Sequence, residues 1–387
     1  MSPRIRTAGA ALFGVLALAS AAGAQTSAAI LPCYAPNKDL SLRTSILAFQ
    51  LENDLFAGTD AEYTSGAKLT WVSPNIEGFD SPLLPAWVRC SNERVRDVVR
   101  WFLPPGATAR NMVVTLGQAM YTPADRDRAS VDPGDRPYAG WTYLGLGYNV
   151  RFDPDPDLRL RTTSTAILNT LEIDLGIVGP HSYAKQSQDL IHRMRGIPRF
   201  LGWDHQLQDE PGLQIVWEQK FRPRTLSSEK EIDAGGGFAV EAIPHYGISM
   251  GNVASYVNVG AEVRFGWRLP DDFGTASIRP GGGSAAPRSA TQLACVYCQH
   301  SFHFFASFDG RAVANNIFLD GNTFKRSHAI KKKLLVGDIA YGWAYTWPKN
   351  PSFPGGKLAY VHYVQSREFE GEGRNHGFGS VSVSIDF

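Results

Sequence analysis

Long stretches of strict alternation between apolar and polar residues constrain this chain more than any other feature. In the segment 257–267, Val, Val, Ala, Val, Phe and Trp occupy the odd positions, and Asn, Gly, Glu, Arg and Gly lie between them. The segments 170–177, 338–347 and 380–387 repeat the pattern. A period of two gives a strand one apolar and one polar face, so we predict an all-β protein.

The alternating segments are long, and their apolar side is rich in aromatic residues. In a soluble sandwich, the apolar face of each strand would form the core. Strands of about ten residues with an aromatic apolar face and a polar opposite face instead predict a transmembrane, outer-membrane β-barrel. The last residue, Phe387, follows an amphipathic segment, which is typical of outer-membrane proteins.

We predict twelve antiparallel strands, an even number as in bacterial barrels, with short helices in the loops. A helix is predicted over Asn92–Phe102, and the insertion 269–300 includes the Gly/Pro/Ser-rich stretch PGGGSAAP, which predicts a flexible loop. The predicted strands are 45–55, 65–73, 112–121, 140–151, 167–178, 212–222, 237–249, 253–267, 301–312, 333–347, 356–367 and 378–387.

The N-terminus has the features of a signal peptide. Arg4 and Arg6 precede a short apolar run at 8–19, and Ala22-Gly23-Ala24 matches a cleavage site. We therefore predict that residues 1–24 are removed and that 25–387 form a single barrel domain in the outer membrane of a Gram-negative cell. No later run of about 18 apolar residues predicts a membrane-spanning helix.

Charge and cysteine content narrow the function classes. The chain has 38 Lys and Arg against 37 Asp and Glu, a net charge of +1, which argues against nucleic-acid binding through bulk charge. In an exported protein, Cys33, Cys90, Cys295 and Cys298 favour structural disulfides or free thiols over a redox or metal pair at 295–298. We expect a monomer.

Antiparallel topology brings several polar clusters to one rim of the predicted barrel. The first strand ends at Asn53 and Asp54, and Thr64 lies across the hairpin. The segment after strand five carries Gln188 and His192, four residues apart and hence on one face of a helical turn. The loop after strand nine carries cations that suit phosphorylated lipid headgroups, or that form a solvated basic loop: Lys325, Arg326, His328, Lys331, Lys332 and Lys333.

These groups permit metal-assisted ester hydrolysis. Carboxylate, amide and hydroxyl oxygens suit Ca²⁺, which could polarise an ester carbonyl while a histidine takes a proton from water. The alternative for Asn53 and Asp54 is a turn cap, and for His192 an ordinary polar contact. Neighbouring strand residues point to opposite faces, so Asn53 and Asp54 need a strand end, a bulge or a groove on the wall to act together. A groove open to lipid would suit a lipid substrate.

Four ordered motifs resemble the outer-membrane lipid A 3′-O-deacylase family (LpxR-like). They are ENDLF…D..YTSG, GQAMYTP…GDRPYAG, GIVGP…Q…H and GWDHQL…E, within residues 45–222. The resemblance implies a twelve-stranded barrel that removes the 3′-linked acyloxyacyl chain from lipid A of lipopolysaccharide, with a calcium-dependent site near the outer-leaflet rim. By motif, the implied site residues are Asn53, Asp54, Thr64, Gln188 and His192, with His192 as the general base.

The chain departs from this family in one place. The characterised enzyme has a Glu shortly after the His, where this chain has Gly196-Ile197-Pro198. We predict that Glu210 completes the metal ligands, with Asp209 and Asp204 as alternatives. Arg128 falls about where that enzyme has a basic residue, and it joins Lys325 and Arg326 as a predicted substrate-binding residue.

Two other functions remain open from the sequence. One is a barrel without enzymatic activity, a small pore or surface-structural protein, although charged inward residues such as Glu172 and Asp174 could fill its lumen. The other is a serine esterase, because Gly247-Ile-Ser249-Met-Gly251 matches G-x-S-x-G. The segment that follows Ser249 has a strand pattern and not a helical one, so we expect a tight hairpin around Gly251-Asn252.

Overall fold

The structure is a computed structural model that describes residues 45–53, 63–153, 165–223, 237–275, 286–287, 299–373 and 375–386. Five features singled out from the sequence lie outside these residues: the predicted signal peptide, Cys33, Asp54, the Cys295–Cys298 pair and Phe387.

Twelve antiparallel strands close into one barrel, each paired with its neighbours along the chain, and β1 closes against β12. The predicted strands are confirmed, and the largest boundary error is four residues, at the end of β9 (312 predicted, 316 observed). The strands are β1 Ile46–Asn53, β2 Tyr63–Val72, β3 Ala109–Tyr121, β4 Ala139–Phe152, β5 Thr165–Val178, β6 Glu210–Pro223, β7 Phe238–Gly251, β8 Ala254–Trp267, β9 Ser301–Asn316, β10 Leu335–Trp347, β11 Gly355–Gln365 and β12 His376–Asp386.

The helices lie in the connections between strands. They are α1 Ala86–Phe102, α2 Ala184–Arg195 and α3 Ile317–Asp320, with 3-10 turns at Pro180–Ser182 and Gly202–His205. The predicted helix over 92–102 is confirmed but begins earlier, directly after Pro85, and its Cys90 is disulfide-bonded. No helix among the described residues is long and apolar enough to cross a membrane.

The outward face of the barrel is apolar and the inward face is polar or aromatic. Phe49, Leu116 and Leu144 are each about half exposed, whereas the strand neighbours Gln50 and Tyr143 are buried in the lumen. This is the alternation that the sequence predicts, and away from the two β-bulges it assigns a strand residue to the outer wall or the lumen by its parity.

The segment after β8 folds back into the lumen at the end of the barrel where the two termini of the sheet lie. Asp271 pairs with Arg151 of β4 at 2.8 Å, and Asp272 pairs with Arg264 of β8 and, at 3.1 Å, with Lys357 of β11. Because these strands are well separated around the barrel, the segment crosses the lumen. Long-range ion pairs thus fix residues 270–275, which form a plug at this end of the lumen, whereas six of the eight residues of the stretch PGGGSAAP lie outside the described residues.

Asp272→Asn is expected to destabilise the barrel. The nearby Lys357 and Arg264 hold the pKa of Asp272 well below its usual range, although burial opposes them, so the carboxylate is ionised. Removing its charge takes the carboxylate from Lys357 and leaves the buried Arg264 with Glu241 as its remaining carboxylate partner, at a cost of about 3 kcal/mol. The measurement is the temperature at which the barrel loses its compact electrophoretic migration. Glu93→Gln, which breaks an exposed pair with Arg96, is the control and should change this temperature little. If the two substitutions lowered this temperature equally, the ion pairs of Asp272 in the lumen would not stabilise the barrel.

Ser249 lies in a hairpin and not at a nucleophile elbow. It pairs with Tyr256 of β8, and β7 and β8 are joined by the predicted tight turn after Gly251. The Ser249 hydroxyl donates to the Ala254 carbonyl at 2.9 Å and accepts from Gln214 at 2.9 Å. A nucleophile elbow needs a helix after the strand, so the G-x-S-x-G match carries no serine site here.

Candidate active site

The segment between β5 and β6 packs against the outer surface of the barrel. The Ser182 carbonyl accepts hydrogen bonds from Gln118 of β3 at 2.6 Å and from Thr142 of β4 at 2.7 Å. A Cβ at Gly140 would collide with Ser182 and Ala184, so only glycine allows the start of α2 to approach β4 this closely. Gln118 and Thr142 share their parity with the exposed Leu116 and Leu144, and α2 therefore lies on the outer wall and not in the lumen.

A small apolar cluster fixes α2 on this wall. It contains Met120, Tyr138, Ala184, Phe200 and Trp203, all buried. Tyr138 packs against the rings of Phe200 and Trp203. Burial also raises the pKa of Tyr138 to about 12, so its phenol stays neutral under the helix. The cluster connects the end of β3 and the start of β4 with α2 and with the chain that follows α2.

His192 is held in one defined tautomer. Its side chain is 4% exposed, and its ring meets Phe200 edge to face with the centroids 5.7 Å apart. Nδ1 lies 2.6 Å from the Pro198 carbonyl oxygen. A carbonyl can only accept, so Nδ1 must carry the hydrogen, and in the neutral ring the lone pair lies on Nε2. This is the arrangement of an oriented general base.

Gln188 lies one turn before His192 and has a defined amide orientation as well. The indole Nε1 of Trp203 donates to Gln188 Oε1 at 2.5 Å, and because an indole nitrogen can only donate, the amide oxygen must face it. The amide nitrogen then points the other way. It is buried and, within the described part of the chain, has no hydrogen-bond partner. A buried donor of this kind suits an oxygen atom brought by a ligand.

The end of the first hairpin lies on the same outer wall as α2. Asn53 shares its parity with the exposed Phe49, while Glu52 is buried in the lumen. Asn53 pairs with Ser65 of β2, and Ser65 pairs with Met120 of β3. Asn53 is thus two strands, roughly 10 Å, from the cluster under α2.

A bulge lies at the second predicted residue of this hairpin. The register between β2 and β3 shifts between Tyr63 and Ser65, so Thr64 falls in a β-bulge. A bulge interrupts strict alternation and can turn a second polar group to the outer wall. Asp54 lies outside the described residues, and its relation to Asn53 stays a prediction.

Glu210, the predicted carboxylate ligand, lies in a hydrogen-bonded contact between loops. Its buried carboxylate accepts hydrogen bonds from the side chains of Asn252 (3.0 Å) and Asn322 (3.2 Å) and from the backbone N–H groups of Thr323 (3.0 Å) and Phe324 (3.3 Å). These contacts anchor the loop between β9 and β10 on the start of β6. The carboxylate is therefore engaged by four donors, and a role of Glu210 as a metal ligand stays a prediction.

The alternative carboxylates also have partners. Asp204 pairs with Lys185, and Asp209 pairs with His181 at 2.6 Å. Burial raises the pKa of Asp209, but hydrogen bonds from the backbone and ring of His181 outweigh it and hold this pKa below the usual range. Among the described residues, no three His, Cys, Asp or Glu side chains are grouped closely enough to hold a metal ion by themselves.

The three cations predicted to bind substrate lie on the outer loops. Arg128 pairs with Asp132 at 2.8 Å, and Lys325 donates to the Asp209 carbonyl at 2.8 Å. The Arg326 carbonyl accepts from Gln208 at 3.4 Å. Lys325 and Arg326 are thus tied to the end of the 179–209 segment, whereas Arg128 belongs to the loop between β3 and β4.

Two groups that orient side chains of this site were not predicted from the sequence. One is the Pro198 carbonyl, which orients His192, and the other is the Trp203 indole, which orients Gln188. Trp203 is part of the GWDHQL motif, so the motif pointed to the residue without giving its role. No side-chain pattern could have identified Pro198, because its contribution is a backbone oxygen.

The family model of the outer membrane protein LpxR matches residues 11–387 of this chain. The chain belongs to the LpxR family of outer membrane proteins. No curated protein sequence matches it. Family membership, the closed barrel and the apolar outer wall together agree with the predicted location in the outer membrane.

The barrel fold is similar to that of a solved structure. LpxR from Salmonella typhimurium superposes with a TM-score of 0.61 at 17% identity, covering 88% of this chain and all of that one. The translocator domain of the autotransporter NalP from Neisseria meningitidis, at 9% identity, gives a TM-score of 0.37 over 89% of this chain and 87% of its own. At this identity the Salmonella structure bears on the fold alone, and the lower score of NalP adds nothing to it.

Proposed function

We propose that this LpxR-family protein is a calcium-dependent esterase that acts as a monomer and removes the 3′-linked acyloxyacyl chain from lipid A of lipopolysaccharide. The observation that carries the proposal is His192. Its Nδ1 hydrogen is committed to the Pro198 carbonyl, which leaves Nε2 as the base, on the outer wall of an outer-membrane barrel. A base on this wall can meet an ester that lies in the membrane.

The side chains divide the work of ester hydrolysis. His192 Nε2 takes a proton from water as the water oxygen attacks the ester carbonyl carbon. The Gln188 amide nitrogen, which points away from Trp203, donates to the oxyanion that develops. When the tetrahedral intermediate collapses, the imidazolium returns the proton to the leaving sugar oxygen, and the products are a free fatty acid and an alcohol.

The donor set at the hairpin fits calcium by its chemistry. Asn53, Asp54 and Thr64 offer amide, carboxylate and hydroxyl oxygens, the hard donors that Ca²⁺ prefers. Bound there, calcium would supply positive charge beside the ester carbonyl. Asn53 supports this placement, because its parity puts its amide on the side of the wall that carries α2, and the backbone bulge between Tyr63 and Ser65 lies beside it.

Charges at the outer loops suit the headgroup of the proposed substrate. Lipid A carries phosphates on its sugars, and Arg128, Lys325 and Arg326 lie on loops at the outer end of the barrel. Arg128 contacts the Asp132 carboxylate and the Ser130 hydroxyl, and Lys325 donates to a backbone carbonyl, so a phosphate could compete for both cations.

The test is the mass profile of lipid A from a Gram-negative host that has no 3′-O-deacylase of its own. Expression should produce a lipid A species that lacks one acyloxyacyl chain. The purified protein should form the same product in Ca²⁺ and not in a calcium chelator. An unchanged profile in Ca²⁺, with the protein folded in the outer membrane, would refute the proposal.

The pore alternative has less support. Ion pairs of Asp271 and Asp272 with Arg151, Arg264 and Lys357 fill one end of the lumen. A small pore needs a continuous aqueous path, and conductance of the wild-type protein in planar bilayers would favour this alternative over the esterase.

A further inference from the structure

Helix α1 lies on the outer wall of the barrel, at the end opposite the candidate active site. Its buried side packs against Met112 of β3, Tyr148 of β4 and Leu171 of β5 in one apolar cluster. Asn92 fixes it there, since its amide donates to the Phe79 carbonyl at 2.6 Å and accepts from the Tyr148 hydroxyl at 2.8 Å. The helix is therefore a fixed part of the wall.

The strand residues under α1 continue the lipid-facing surface. Met112 and Tyr148 have the same parity as Leu116 and Leu144, which are each four residues along the strand and exposed. Four residues correspond to roughly 13 Å along a strand. Helix α1 covers this apolar surface at the end of the barrel where the two termini of the sheet lie. It therefore lies where the surface approaches the periplasmic boundary of the membrane.

One flank of α1 carries two exposed tryptophans. Trp87, Arg94 and Trp101 follow one another at intervals of seven residues, two helical turns, and therefore lie on one side. Trp101 is 87% exposed and Trp87 is 48% exposed. Trp101 also stacks on Phe102 with ring centroids 6.3 Å apart. Tryptophans exposed to this degree on a membrane protein are typical of the headgroup level of the bilayer.

The other flank of α1 is charged. Glu93 and Arg96 form an exposed ion pair at 2.7 Å, and Arg100 follows one turn after Arg96. The buried stripe of Val88 and Val99 separates the two flanks. A helix with one aromatic flank and one charged flank is suited to lie in the plane of a membrane interface.

We propose that α1 is an interfacial helix whose Trp87–Trp101 flank inserts into the headgroup region of the periplasmic leaflet. Its ligand is anionic phospholipid, with the Arg94 guanidinium between the two indoles and directed to the phosphates. The aromatic residues that girdle the same end of the barrel on other strands, such as Phe238, Phe265 and Phe302, are continued on this side by the helix.

Photocrosslinking to lipid tests this proposal independently of any enzymatic activity. The full-length protein carries p-benzoylphenylalanine at one of three positions: Trp101, Arg96 on the charged flank, or Leu116 on the lipid-facing wall. Each variant is reconstituted in vesicles of phosphatidylethanolamine with alkyne-tagged phosphatidylglycerol, and heat-modifiable migration confirms folding.

The yield of lipid adduct at position 101 should approach the yield at position 116, because both positions contact lipid. It should exceed the yield at position 96 roughly tenfold, because position 96 lies on the flank that faces away from lipid. Adduct at position 101 no greater than at position 96 would overturn the proposal. The comparison also removes general effects of the probe, since positions 96 and 101 belong to the same helix.

Discussion

His192→Ala is expected to abolish 3′-O-deacylation of lipid A while the barrel still folds. The imidazole supplies the base for the attacking water, and general-base catalysis contributes about 10²–10⁴-fold in rate. The side chain packs beside Phe200 on the outer wall and belongs to α2, not to a strand, so its loss leaves the strands intact. Mass spectrometry of lipid A gives the activity, and heat-modifiable migration gives folding.

The matched control for this substitution is His181→Ala. His181 belongs to the same segment but is exposed and pairs with Asp209. We expect it to retain the deacylated product. Deacylation by His192→Ala at the wild-type rate would rule out His192 as the base, and equal loss in both variants would point to general damage to the 179–209 segment.

Gln188→Glu is expected to lower the deacylation rate by about 10²–10³-fold, the usual effect of losing one oxyanion donor. The substitution keeps the shape of the side chain and an oxygen that can accept from Trp203. It replaces the free amide nitrogen by a carboxylate oxygen, which repels a developing oxyanion. The rate is measured with purified protein, lipid A and Ca²⁺.

Gln208→Glu is the control for Gln188→Glu, because Gln208 lies in the same segment and its side-chain amide makes a long hydrogen bond, 3.4 Å, to the Arg326 carbonyl. It should leave the rate near that of the wild type. A Gln188→Glu protein with the wild-type rate would exclude the amide nitrogen as the donor. A parallel loss of Trp203 packing would be visible as a lower unfolding temperature.

Much of the fold could be predicted because each strand of a membrane barrel has one face toward lipid and one toward the polar lumen, and this difference is visible in its sequence. The alternation at 257–267 gives β8 to within one residue at its start, and it gives which residues face lipid. The helix α1 was half predicted, since its apolar stripe is periodic but its first turn carries no strong sequence signal. The plug at 270–275 was missed because its ion pairs join residues as distant in sequence as Arg151 and Asp271.

The candidate site was predicted as a set of residues and not as an arrangement. His192 and Gln188 are paired by helical spacing, which the sequence contains. Glu210 was assigned to a metal because a carboxylate near a polar rim has the right chemistry, yet four donors from other segments already surround it. The chemistry of a side chain does not identify which groups lie beside it in the folded protein.

The sequence by itself determined the twelve strands, the two faces of each strand and the family, because local alternation and ordered motifs carry this information. The tertiary structure decided that α2 lies on the outer wall, that Pro198 and Trp203 orient His192 and Gln188, and that Asn53 shares this wall. The position of α2 depends on a close approach between segments far apart in the chain, Gly140 under Ser182, and the contacts of Pro198 and Trp203 depend on how the chain folds back over α2. The sequence of one segment does not specify which other segment packs against it, so the arrangement of the site is known only from the folded barrel.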